Sequence, residues 1–231
     1  MGKLIVIDGL DCSGKETQSK ILLKGLLSNG KNAKRISFPV YDSWSSSLVR
    51  GYLSEKLGND ITKLSPYAIA SFYACDRYIN YITEWKSFYE QEDSIIIADR
   101  YIQSNMLYQS LVFENESDIL KFCDWVHDYE RNLLELPKSD VTIFLSVKPE
   151  TSQRLMRERG NNKHGGSDIY EDQIELLEKI YQRFHLIGDY CGCDIVECDK
   201  FINDHRIDPI PWINDIIYNI VCDKLDIETG I

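Results

Sequence analysis

The run KLIVIDGLDCSGKETQSKILLKGLL, residues 3–27, constrains the fold more than any other stretch. An apolar segment, KLIVID (3–8), enters a glycine-framed turn, and Leu22, Leu23, Leu26 and Leu27 then recur at helical spacing. A strand that turns through glycines into a helix points several backbone N–H groups at one spot, and the helix N-terminus adds partial positive charge there. Such a spot takes phosphate. Lys15 follows the turn and reaches toward the outer phosphates of a nucleoside triphosphate. The residues expected to hold ATP are Gly9, Cys12, Ser13, Gly14, Lys15, Glu16 and Thr17. The position after the lysine usually carries a hydroxyl that ligates magnesium. Here it is Glu16, and a hydroxyl arrives only at Thr17. Three readings are open for Glu16: it touches the metal, it faces away, or it weakens the site.

The rest of the chain alternates short apolar runs with longer helical patterns. Further strands are expected at AKRISF (33–38), SIIIAD (94–99), VTIFLSV (141–147) and DIVEC (194–198). Helices are expected from the glycine turn to Asn29-Gly30, then over 45–57, 66–90, 101–112, 117–130, 149–159, 168–187 and 210–225. Runs such as SIIIAD are apolar on both faces, as in a parallel sheet covered on both sides. This predicts one α/β domain over residues 1–231, a three-layer fold with a five-stranded parallel sheet flanked by helices. Ligands then sit at the carboxyl ends of the strands.

Composition narrows the partners. The chain has 37 acidic residues against 26 Lys plus Arg, a formal charge of −11. Such a surface repels nucleic acid and anionic membranes, so neither is an expected partner. An anionic ligand therefore needs a local basic pocket. Seven cysteines, with no signal-like or membrane-length apolar segment, point to reduced thiols and a cytoplasmic setting. His185, Cys191, Cys193 and Cys198 lack paired metal-ligand spacing and read as small buried thiols beside a strand.

A second cluster, ADRYIQSNMLYQ (98–109), closes the third strand. Asp99 at the strand end suits magnesium or its water shell; a helix cap is the lesser alternative beside Arg100-Tyr101. Arg100 is a fork-shaped phosphate donor. Ser104 and Gln109 lie on the helix that follows, and Gln109 suits a base edge. FYACDRY (72–78) places aromatics beside Arg77; taken alone, Arg77 reads first as a surface ion-pair arginine and Tyr73 as a core aromatic. FP closes the second strand at 38–39.

The ordered set GLDCSGKETQ, FP with LVRGYL, FYACDR, DRYIQSNMLYQ, CDWVHDYERNLLELPKSDVTIFLSVKPETSQRLMRERG and DIYEDQIELLEKIYQRF resembles the thymidylate kinases of bacterial type. These are P-loop nucleoside monophosphate kinases, and the likeness spans nearly the whole chain. It implies transfer of the γ-phosphoryl of ATP to dTMP with magnesium, and a homodimer. It implies that Asp11 bonds the sugar 3′-hydroxyl, Tyr101 packs under the sugar and Phe38 walls the pocket. Tyr73 takes a stacking position, and Arg77 and Gln109 read the pyrimidine. Arg100 holds the acceptor phosphate and Lys15 steadies the transferring group, with Asp99 and Thr17 toward the metal, partly through water. Arg154, Arg157 and Arg159 lead into a lid around 157–168, from which Lys163 or an arginine reaches the triphosphate; Arg157 is the catalytic candidate. Arg154 and Arg159 read equally as a solvated helix face.

Several positions depart from the family pattern. Tyr41 stands where an arginine for the acceptor phosphate is expected, Ser46 where a glycine is expected, and Tyr73 where a phenylalanine is kept. Two alternatives therefore remain beside dTMP phosphorylation: a kinase for another nucleoside monophosphate, and a nucleotide-binding regulator without catalysis.

Overall fold

A computed structural model describes residues 1–58, 60, 63–158, 174–204 and 208–227. Five strands form one parallel sheet: β1 (Lys3–Gly9), β2 (Asn32–Ser37), β3 (Ser94–Asp99), β4 (Val141–Ser146) and β5 (Asp194–Glu197), in the order β2-β3-β1-β4-β5. β1 and β3 lie centrally, in register from Lys3–Ile95 to Ile7–Asp99. Their carboxyl ends therefore place Gly9 and Asp99 on the same edge of the sheet.

Strand alternation sorts the core into two layers. Leu4, Val6, Ile96, Ala98 and Phe144 point to one face, with Ile102, Phe122, Ile180 and Phe184. Ile5, Ile7, Ile95, Ile97, Ile143 and Leu145 point to the other, with Leu22, Leu26, Ile213 and Ile217. The first layer is covered by α3 (Pro66–Asn80), α5 (Ile102–Gln109), α6 (Glu116–His127) and α8 (Ile174–Cys191). The second is covered by α1 (Lys15–Ser28) and α10 (Pro209–Leu225). Local chemistry starts these helices. Ser65 accepts from the Ala68 N–H with Pro66 behind it, Asn115 accepts from Asp118, and Asp208 accepts from Ile210.

The strands lie within a residue or so of expectation; several helices do not. Residues 45–57 divide into a 3₁₀ turn and α2 (Ser47–Leu53). Residues 66–90 divide into α3, a π turn over Tyr81–Trp85, and α4 (Lys86–Tyr89). A second π turn, Asp128–Leu133, extends α6. A π turn inserts one residue without breaking the helical path, so apolar spacing alone does not reveal it. α7 spans Pro149–Glu158, and a short α9 (Asp199–Ile202) went unexpected. Leu27, expected in the core, is 49% exposed because α1 buries only the narrower Leu22–Leu26 stripe. Arg159, Lys163 and most of the expected lid lie outside the described residues.

Candidate active site

Gly9 and Gly14 shape the phosphate loop for two different reasons. Gly9 has φ 148°, and a Cβ there would sit 2.6 Å from the Leu145 carbonyl oxygen. Gly14 has φ 92° with open space around it, so conformation alone requires glycine. Between them Ser13 is buried, and its Oγ has no hydrogen-bond partner among the described residues. An orphaned hydroxyl inside a loop of converging N–H groups suits a phosphate oxygen.

Lys15 is buried, and its Nζ donates to the carbonyls of Gly9 (3.0 Å) and Leu10 (2.5 Å). Burial first, then nearby Arg100, lower its pKa to about 8 against the opposing pull of Asp11, Asp99 and Asp8. Glu16 turns outward: its side chain is 60% exposed and accepts from Lys20 Nζ at 2.6 Å, one turn on. Of the three readings, the structure matches the one in which this glutamate faces away. Glu16→Ala should shift stability by less than about 0.5 kcal/mol, as for an ordinary surface site. Steady-state assay of the variant should return the parent kcat and ATP KM. Thr17 is half-buried in the first turn of α1.

Asp99 ends β3, and Arg35 on β2 holds its Oδ2 at 2.6 Å while also donating to Ser19 (2.7 Å). Arg100 follows with φ 68°, a left-handed conformation that costs a non-glycine residue on the order of 1 kcal/mol. That turn swings its guanidinium toward the loop, where it bonds Asp11 and lies 3.7 Å from Asp8. It also donates to the Tyr108 hydroxyl at 3.3 Å and sits over the Tyr108 ring. Burial alone would lower the Arg100 pKa; Tyr108, Asp11 and Asp8 outweigh it and hold the group firmly charged. Asp8 is fully buried, and burial raises its pKa against Arg100, Ser104, Lys15 and the Gly9 N–H. Its two oxygens accept from Gly9 N–H (2.8 Å) and Ser104 Oγ (2.6 Å), tying the loop to α5.

Beside this lies a cleft of about 480 Å³, including the part open to solvent. Asp11, Arg100, Ser104 and Tyr108 line one end. Phe38, Tyr41, Tyr73, Arg77, Asn105 and Gln109 line the remainder. Arg77 is no surface residue. It is 2% exposed and holds Glu130 (0% exposed) with two parallel bonds of 2.7 and 2.6 Å. The same carboxylate accepts from Asn105 Nδ2 at 2.8 Å. Two donors at the cleft wall thus share one buried acid. Asp76 fixes the FP segment to α3 by accepting from the Val40 N–H (2.9 Å) and Ser45 Oγ. Tyr101 stands behind the wall, its ring 6.1 Å from Phe38 and its hydroxyl donating to the Pro137 carbonyl. Arg157 lies on the exposed face of α7 and donates to Gln153 (2.8 Å); Arg154 binds Glu158 and Asn203. α7 nonetheless touches the loop, because Ser152 Oγ donates to the Asp11 carbonyl at 2.6 Å.

Sequence reasoning gave no role to Asp8, Arg35, Asp76, Asn105, Tyr108 or Glu130. Two of them carried a signal. Asp8 is the lone acid in an apolar strand, and Glu130 continues the buried Phe122–Val126 stripe at four-residue spacing.

A phosphate loop facing a polar-ended cleft across Arg100 is a two-substrate arrangement, and comparison with known proteins decides which. The thymidylate kinase family model matches residues 7–199. The chain belongs to the thymidylate kinase family. It is 30% identical to the thymidylate kinase of Plasmodium falciparum over 79% of this chain and 76% of that one. It is 30% identical to the Mycobacterium tuberculosis thymidylate kinase over 76% and 81% of the two chains. Among solved structures, Candida albicans thymidylate kinase superposes with a TM-score of 0.67 at 24% identity, covering 98% of this chain and 94% of that one. The Ehrlichia chaffeensis enzyme gives 0.65 at 20% identity over 95% and 98%, the same fold at a greater distance.

Proposed function

We propose that this chain transfers the γ-phosphoryl group of ATP to dTMP, giving ADP and dTDP. The observation that carries the reading is Arg100: one side chain lines the acceptor cleft and bonds Asp11 inside the phosphate loop. A monophosphate in the cleft therefore has its phosphate beside the loop that holds the triphosphate. Arg77, Asn105 and Gln109 supply polar contacts for a pyrimidine, Phe38 and Tyr73 its apolar walls, and Asp11 a partner for the sugar hydroxyl.

Phosphoryl transfer needs in-line positioning and neutralised charge more than covalent help. Lys15 steadies the transferring group, and Arg100 neutralises and aims the acceptor phosphate. Asp99, at the end of β3, and Thr17, in the first turn of α1, would hold magnesium, partly through water, and it would supply charge relief to the transferring phosphoryl group. Arg157, near the end of α7, is the arginine that approaches the triphosphate.

The seven cysteines are all free thiols, which supports a reducing, cytoplasmic setting. No described helix is long and apolar enough to cross a membrane. Exposed Leu48, Tyr67, Tyr78 and Ile82 along α2, α3 and the first π turn support pairing of two copies, which sedimentation would read as a dimer mass.

Coupled ADP release across dTMP, dUMP, dCMP, dGMP, dAMP and their ribose forms tests the acceptor. dTMP should give the highest kcat/KM. Preference for another monophosphate would keep the kinase and reassign the specificity, with Tyr41 in the cleft wall as the first suspect.

A further inference from the structure

α5 has two working faces. Ser104, Asn105, Tyr108 and Gln109 look into the acceptor cleft; Ile102, Gln103 and Met106 look into a second cavity of about 830 Å³, again including the part open to solvent. That volume falls within the range of small-molecule pockets. Its other walls come from the second π turn, the segment before β4 and the end of α8.

The charge of this cavity is out of keeping with the chain. The molecule carries −11 overall, yet the cavity is lined by Arg131, Lys138 and His127 and, among the described residues, by no Asp or Glu. Among the described residues, two polar atoms of its lining side chains lie just beneath the cavity surface without a partner: Arg131 Nε, a donor, and Gln103 Oε1, an acceptor. Gln103 is 9% exposed, and its amide nitrogen points to Thr142 Oγ1 at 3.4 Å, so its oxygen is the end left unpaired. Burial lowers the Arg131 pKa, opposed only by the Tyr101 and Tyr89 phenols. A buried unpaired donor or acceptor costs about 1–3 kcal/mol, which a ligand carrying both complements would recover.

We propose that this cavity binds a small hydroxylated oxyanion, its carboxylate or phosphate accepting from Arg131 and a hydroxyl donating to Gln103 once both side chains turn out to meet it. Binding there is felt at the acceptor cleft. The π turn carries Arg131 in this cavity next to Glu130, which holds Arg77 and Asn105. α5 carries Gln103 next to Ser104 and Asn105. An occupant that draws on Arg131 and Gln103 therefore biases the two elements that set the acceptor donors, and the coupling is reciprocal.

The test titrates the full chain by calorimetry with ribose 5-phosphate and with gluconate, keeping dTMP and ADP saturating so that the active site is filled. The two probes separate a phosphate from a carboxylate ligand. Saturable one-to-one binding of at least one is expected. Arg131→Lys, which keeps the charge but loses the Nε donor, and Gln103→Leu should each weaken it by about tenfold, the equivalent of about 1.4 kcal/mol. The same probe should change the dTMP KM by at least about fivefold, the lower end of ordinary coupling. No heat from either probe, or binding that both variants leave intact, would overturn the site. Binding without any change in dTMP KM would overturn the coupling.

Discussion

Lys15→Met is expected to lower kcat by about a hundredfold or more, the effect of removing one preorganised charge from a developing oxyanion, while raising stability. The stability half follows from the lowered pKa. The folded protein disfavours the charged ammonium, because burial and Arg100 outweigh Asp11, Asp99 and Asp8. Between about pH 8 and the unfolded value of 10.5 the unfolded chain binds more protons, so wild-type stability rises with pH across that window. Below about 8 the destabilisation is present in full. The variant lacks it, so its advantage in melting temperature should be largest at neutral pH and shrink as pH climbs through the window. Wild-type kcat/KM for ATP should fall above about pH 8, since that ratio reports ionisation of the free enzyme. An equal melting temperature at all pH values, or retained turnover, would remove Lys15 from the role given to it.

Glu130→Ala is expected to be the most destabilising single change near the cleft. It strands Arg77, which is 2% exposed and loses both of its partner's bonds. Breaking a buried pair in this way costs about 3–5 kcal/mol, and at about 2–4 °C per kcal/mol for a chain of this size the melting temperature falls by about 10 °C. Asn105 loses a partner in the same step. Arg77→Met with Glu130→Leu should recover most of the stability, because it removes the buried charges together and leaves no unpaired one. It should not recover function: dTMP KM should stay raised while ATP KM stays near the parent value. A double variant with normal dTMP KM would make Arg77 purely structural.

How much was readable in advance depended on range. The strands and the phosphate loop are written in consecutive residues, so KLIVID, SIIIAD and GLDCSGK were legible as they stand. Arg77 and Glu130 are 53 positions apart, and Arg35 and Asp99 are 64 apart. Neither pairing leaves a periodic mark, so Arg77 taken alone read first as a surface ion-pair residue, and Arg35 drew no reading beyond its place in a strand. The two π turns escaped because an added residue keeps the helical path while shifting its face. That shift sets Glu130 in the core and Arg131 beside the second cavity. Leu27 was misplaced because a leucine pair can sit at the margin of a helix stripe with one member in solvent. Glu16 could be decided only by seeing where its carboxylate turned, toward Lys20.

The central claim is that phosphoryl leaves ATP for dTMP rather than for water. Chromatographic quantitation of dTDP and ADP from one reaction with ATP, magnesium and dTMP measures this directly. Equal amounts of both, with little ADP when dTMP is withheld, is the predicted result. ADP formed without dTDP would make the chain a hydrolase and contradict the reading of the cleft as an acceptor site.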